Sequence, residues 1–167
     1  MAASVLWPLQ TPDYMRAVIT RFDAFRSAGA PDIDAAVAAR VDRLRLLNDP
    51  ARRCALIMEE AVMRGRVFDD EIIAGQLHHL LSMMDRPNVS LGVIPLGARR
   101  EQEPTETFHI YDEHNVSIEL VSALVSVTQP REIALYAKCF DDLARSAVYG
   151  RAARGLVTGA ISALGQD

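Results

Sequence analysis

Short apolar runs alternate along this chain with longer segments of helical period, and this alternation restricts the possible folds more than any other feature. Two runs, "CALIM" (54–58) and "VSLGVIPL" (89–96), have the length and composition of buried strands. The runs "TFHIY" and "VSIEL" flank "DEHN" and predict a β-hairpin. We therefore expect an α+β fold in which several helices pack on a small, mostly antiparallel sheet.

Apolar side chains at helical spacing predict the helices. The first begins with Thr11, a good N-cap, and Pro12, which fits the first helical position. The final segment, 150–167, is a weaker amphipathic helix, and the sequence leaves open whether it packs on its own domain or is peripheral or interfacial, against a partner. The predicted helices cover residues 11–28, 32–47, 69–84, 128–148 and 150–164.

Length and charge place the chain in a broad class. Its 167 residues fit one domain, 1–167, and its net charge of −4 does not suit direct binding to nucleic acid. No apolar run reaches the roughly 18 residues of a membrane span, and no signal peptide opens the chain. The sequence therefore predicts a cytoplasmic protein that contacts neither nucleic acid nor a membrane.

Residues that could hold a metal or cofactor do not form a recognisable motif. The pair His78 and His79 point about 100° apart on a helix, so they do not chelate as an i, i+4 pair would. Cys54 and Cys139 lie far apart and read as free thiols. No phosphate-binding or dinucleotide-binding glycine motif is present. We expect no metal and no cofactor.

The hairpin carries the most suggestive polar residues. A turn of five residues, 112–116, would place His109 opposite Glu119 on the polar face, with Tyr111 on the same face. Such a pair could handle a proton or anchor a ligand, and it could equally be an ordinary exposed cross-strand pair. Glu59, which follows the first apolar strand, is a further candidate because strand ends often supply pocket residues, although helix starts also use such carboxylates.

Several segments resemble one family in the same order along the chain. "PLQTPDYMRAV" is similar to the "PGLLQTxxYAxAv" signature of the C-terminal domain, of unknown function, in actinobacterial XRE-type helix-turn-helix regulators. "LIMEEAVMRGRV" (56–67) and "IIAGQLHHLLSMMDRPNVSLGVIPLG" (72–97) resemble its central segments. "ETFHIYD" and "YAKCFDDLARSAV" resemble its later strand and closing helix.

The resemblance implies the effector half of a regulator, without the DNA-binding half that precedes it in that family. The chain would then be a truncated regulator or a stand-alone protein. Arg40, Gln76 and Glu119 match family positions, and no chemical role is carried over to them. The family's glycine-containing loop is replaced here by "ARREQEPTETF", which implies a different ligand.

The sequence leaves two functions open, besides a purely structural dimerisation module carried by the glycine-spaced tail helix "GLVTGAISALG". The first is a ligand- or partner-binding domain whose occupant is an unknown small molecule or a companion protein, and a homodimer is one assembly it could form. Its expected binding residues are Arg40, Glu59, Gln76, His109, Tyr111 and Glu119.

The second is a cofactor-independent enzyme of small-molecule, natural-product biosynthesis, such as a cyclase, isomerase or dehydratase. Its catalytic residues would be His109, Glu119 and Tyr111, with His114 as another possible base and Glu59 as another carboxylate.

Overall fold

A computed structural model of the chain describes residues 6–26, 32–44, 47, 49–101 and 106–165. Its elements follow the order of the predicted helices and strands, with two short additions and one further strand. They are a 3₁₀ turn η1 (Trp7–Leu9), α1 (Pro12–Arg26), α2 (Ile33–Leu44), β1 (Cys54–Glu59), α3 (Glu60–Arg64), α4 (Asp70–Met83), β2 (Val89–Ile94), β3 (Phe108–Tyr111), β4 (Asn115–Glu119), β5 (Leu124–Val127), α5 (Pro130–Ser146) and α6 (Gly150–Ser162). The α+β class is thereby confirmed.

The strands form two small sheets rather than one. β1 and β2 pair in parallel, with Cys54 opposite Val89 and Glu59 opposite Ile94. The parallel arrangement needs a crossover, which α3 and α4 supply. Helices α3, α4 and α6 also supply much of the main apolar core that surrounds this sheet. The expectation of one mostly antiparallel sheet thus holds only for the second sheet.

The second sheet is an antiparallel meander of β3, β4 and β5. Val116 and Ile118 of β4 turn one face toward Ile133 of α5, and these three buried residues form a separate, smaller core. The other face carries the polar residues of the strands, as alternation predicts. Helix α5 contacts β2, β3 and β4, so it joins the two sheets.

The tail helix α6 belongs to the main core and is not peripheral. Ala153, Val157 and Ala160 are buried on its inner face, against α3, α4 and β2. Gly155 and Gly159 lie on its exposed face, so they do not interrupt the buried stripe. A main-chain bridge between Val148 and Val93 fixes the start of this segment beside β2.

The ends of α4, α5 and α6 differ from the prediction by one or two residues. The predicted end of the first helix, residue 28, lies outside the described residues, as do residues 45 and 46 near the predicted end of the second. Residues 102–105 of the polar stretch "ARREQEPTETF" also lie outside them. Within the described residues, no helix is long and apolar enough to cross a membrane.

Candidate functional site

A cleft of about 1070 Å³ lies between the two sheets. Its two long sides are β1 and β3, and every residue of both strands lines it. Because successive side chains point to opposite faces of a strand, a cavity that touches consecutive residues runs along the strand edge. The cleft is therefore a gap between two sheet edges.

Apolar side chains close the floor and ends of the cleft. Helix α5 contributes Phe140 and Leu143, the end of α2 contributes Leu44, and η1 contributes Trp7 and Pro8. All five of these side chains come from elements that belong to neither sheet. An apolar floor with polar groups at its margin is the usual composition of a binding cleft.

A buried ion pair lies at the carboxyl end of β1. Arg100 donates two hydrogen bonds to the Glu59 carboxylate, at 2.7 and 2.5 Å, and the Glu59 side chain is only 10% exposed. This paired geometry satisfies both carboxylate oxygens. Glu59 therefore lines the cleft as predicted, but its charge is already compensated.

The adjacent carboxylate, Glu60, has a structural role. Burial alone would raise the pKa of Glu60, but hydrogen bonds from the Leu96 main-chain N–H and from Arg64 hold that pKa below its ordinary value. Glu60 thereby ties the first turn of α3 to the segment after β2. It does not line the cleft.

His109 of β3 faces the cleft beside Trp7. Their ring centroids are 6.1 Å apart in an edge-on arrangement. Burial lowers the pKa of His109, and the negative charge of Glu119 opposes this shift only in part. The imidazole is therefore neutral at pH 7.

The predicted pairing of His109 with Glu119 is wrong. His109 lies opposite Ser117, because the turn contains three residues, 112–114, rather than five. Asp112 adopts a left-handed conformation with φ of 52°, which closes the tighter turn. Glu119 instead pairs with Leu124 of β5 and is a diagonal neighbour of His109 on the same face.

The remaining predicted residues are dispersed. Tyr111 lines the cleft but is 46% exposed. Arg40 does not line it, and Arg43, one turn further along α2, does. Glu119 is exposed at the end of β4 and also lies outside the cleft. Three of the six predicted binding residues, Glu59, His109 and Tyr111, are thus brought together.

Gln76 is a structural residue on α4. Its side chain is buried, accepts a hydrogen bond from the Thr11 N–H at 2.8 Å and donates one to the Leu9 carbonyl at 2.6 Å. These bonds fix the turn between η1 and α1, and hence the position of Trp7 at the cleft. Gln76 therefore affects the site through the position of Trp7.

Trp7, Arg100 and Phe140 are residues of the site that the sequence analysis did not assign to it. Trp7 had the clearest signal, since it is the only tryptophan and stands in the segment "WPLQT". Arg100 lies in a polar stretch with no periodicity, and Phe140 lies within the predicted helix 128–148. Their roles depend on contacts between distant parts of the chain.

The cysteines and histidines show no metal-binding arrangement. No group of three metal-ligating side chains occurs among the residues that the structure describes. Both cysteines are free thiols, and burial raises the pKa of each. His78 bonds through Nδ1 to the Ala74 carbonyl of its own helix.

The interaction of His109 with Trp7 predicts a pH-dependent fluorescence signal. Protonated imidazole quenches indole emission, so Trp7 fluorescence should fall as the pH is lowered, with a midpoint below the ordinary histidine value of 6.5. His109→Gln should abolish this transition. His79→Gln is the matched control, because burial also lowers the pKa of His79 but this residue does not line the cleft. A midpoint at or above 6.5 would contradict the burial of His109.

The same shift has a defined effect on stability. Between the lowered folded-state pKa and about 6.5, the unfolded chain binds more protons than the folded chain. The free energy of unfolding should therefore decrease as the pH falls through this window. His109→Gln should reduce that dependence in urea titrations.

The geometry defines an α+β domain with a cleft between two sheet edges. A family model described as domain of unknown function DUF5753 matches residues 2–159, and the chain belongs to this family. No curated protein and no solved structure matches the chain.

Proposed function

We propose that this chain is a ligand- or partner-binding domain of the kind found in XRE-type regulators, and that the cleft is its binding site. The cleft between β1 and β3 carries this proposal. It combines an apolar floor with polar and charged groups at its margin, including His109 and the Glu59–Arg100 pair. The sequence resemblance to the effector half of such regulators supports the same reading.

The two walls of the cleft belong to different sheets, which suits a regulatory role. An occupant that contacts both β1 and β3 would stabilise one relative position of the two sheets. A ligand shifts an equilibrium only to the extent that it prefers one state. Contact with both walls supplies that preference, and the exposed elements beside the cleft would transmit it to a partner.

The charges around the cleft favour a largely uncharged occupant over most of its length. Arg100 compensates Glu59, Arg52 lies 3.5 Å from Asp49, and Tyr136 donates a hydrogen bond to Glu106 at 3.0 Å. A highly charged ligand would therefore find most partners already engaged. An amphipathic occupant fits this arrangement better.

An acid–base enzyme is the second candidate, and one observation favours it. His109 is neutral at pH 7 and faces a cleft, which suits a general base. Within the described residues, however, no carboxylate forms a hydrogen bond to His109. A binding domain does not need a carboxylate partner for His109, so we place it first.

Native mass spectrometry and Trp7 fluorescence test the proposal directly. We expect a small molecule or a peptide to remain bound after gentle purification, and its titration into emptied protein to change Trp7 emission. Ala55→Phe, which adds a ring within the cleft, should abolish the change. Ala152→Phe is the matched control, because Ala152 is exposed on α6 and lies away from the cleft.

The outcomes separate the two candidates. A retained molecule whose release does not alter Trp7 emission, and whose binding survives Ala55→Phe, would contradict binding in the cleft. If the native protein converts the molecule chemically and His109→Gln does not, the enzyme becomes the better-supported candidate. If neither protein converts the molecule and both bind it with the same affinity, the binding domain is supported.

A further inference from the structure

The outer edge of β1 has main-chain groups available for pairing. Cys54 donates its N–H to the Asn88 carbonyl at 2.9 Å, so in the parallel register Leu56 and Met58 also face β2. Ala55 and Ile57 then direct their N–H and carbonyl groups away from β2. This is the side on which the cleft lies.

The opposite wall offers a second sheet edge. β3 pairs only with β4 in its sheet, and no main-chain hydrogen bond joins β3 to β1 in the part of the chain that the structure describes. The edge of β2 that does not pair with β1 is bridged, at Val93, to Val148. Among the described residues, no main-chain partner covers either of the two strand edges at the cleft, and proteins usually cover such edges.

We propose that the occupant of this cleft is an extended peptide segment of a partner protein, which adds as a strand beside β1 within the gap between the sheets. This inference rests on the cleft being the binding site proposed above. Main-chain pairing would supply affinity, and pockets for alternate side chains would supply selectivity. At about 1070 Å³, the cleft lies at the upper end of the roughly 300–1000 Å³ typical of ligand pockets, so an extended peptide segment has room in it.

The charges at one end of the cleft indicate which peptide would fit. Arg53, directly before β1, and Arg43, in the last turn of α2, line the cleft, and neither forms an ion pair among the described residues, whereas Arg52 is paired with Asp49. An acidic residue of the peptide would complement these two arginines. The apolar floor, which includes Phe140 and Leu143, favours apolar side chains at alternate positions further along. The expected partner segment is thus an extended, apolar strand with an acidic end.

A selection from a displayed library of random heptapeptides, followed by amide hydrogen exchange, tests this assignment. We expect enriched peptides to alternate apolar residues after an acidic one. At saturation, exchange of the Ala55 and Ile57 amides should slow by about tenfold or more. The Leu56 and Met58 amides, already bonded to β2, serve as internal controls and should change much less.

Two variants isolate the main-chain contact. Ala55→Pro removes an N–H that faces the cleft and leaves the β1–β2 bonds in place, so peptide affinity should fall at least about tenfold. Ala55→Val keeps the N–H and should bind nearly as well. If Ala55→Pro does not fold, the selected peptide methylated at alternate main-chain nitrogens provides the same test on the native protein.

The results distinguish this inference from the proposed function. A peptide that changes Trp7 emission without slowing exchange at Ala55 and Ile57 overturns strand addition and leaves the cleft as the binding site. A library that yields only peptides indifferent to Ala55→Pro also overturns it, and a small molecule retained in native mass spectrometry would then be the occupant. Protection that rises with protein concentration and without peptide would assign the edge to a second copy of the chain.

Discussion

Replacing Gln76 with leucine should destabilise the domain by about 2–5 kcal/mol. The substitution keeps the volume of the side chain but leaves the Thr11 N–H and the Leu9 carbonyl without their partner. Each buried polar group that loses its hydrogen bond costs about 1–3 kcal/mol. Urea unfolding, followed by circular dichroism, gives the difference in the free energy of unfolding.

A control on the same helix separates this effect from helix propensity. His78 is exposed on α4, and His78→Ala should change stability by less than about 0.5 kcal/mol. Trp7 emission should also shift in Gln76→Leu, because Gln76 holds the turn that positions Trp7. A variant as stable as the native protein would show that water or another group replaces the lost bonds.

Removing the Arg100 side chain should have the second largest effect on the free energy of unfolding. Arg100→Met leaves the Glu59 carboxylate nearly buried and uncompensated, and we expect a loss of about 1–3 kcal/mol. This expected loss is smaller than that for a fully buried ion pair because Arg100 is partly exposed, with 28% of its side chain accessible. Thermal or urea unfolding at neutral pH measures the loss.

A double-mutant cycle then isolates the pair. Glu59→Gln combined with Arg100→Met removes both charges, so the double variant should recover much of the stability lost in Arg100→Met alone. Arg99→Met is the matched control, since Arg99 is an exposed neighbour in the same segment. Additive losses in the double variant would show that the two side chains do not interact in solution.

The periodicity of the sequence predicted most of the fold. Apolar spacing located the long helices and the strands β1 to β4, because each of these elements buries one face in a core. It did not locate β5, whose residues Leu124 and Val125 remain exposed, nor the five-residue helix α3. These elements depend on the neighbour that each packs against, which the local pattern does not contain.

The candidate site was predicted only in part, for reasons that differ by residue. The error in the hairpin register was two residues, an even number, so the faces remained correct while the partner of His109 changed. Gln76 matched a family position without an assigned role, and its hydrogen-bond partners lie 65 and 67 positions away. The partition into two sheets, which creates the cleft, could not be read from the strands themselves.

The two separate cores imply an order in which the parts of the domain unfold. Among the described residues, the buried members of the core of the three-stranded sheet are Val116, Ile118 and Ile133, too few to stabilise a meander alone. The meander therefore depends on α5 for its cohesion and should open as a unit before the rest of the domain unfolds. The β3 side of the cleft would then unfold before the rest of the domain. A partner bound in the cleft would therefore also stabilise the folded state of the meander.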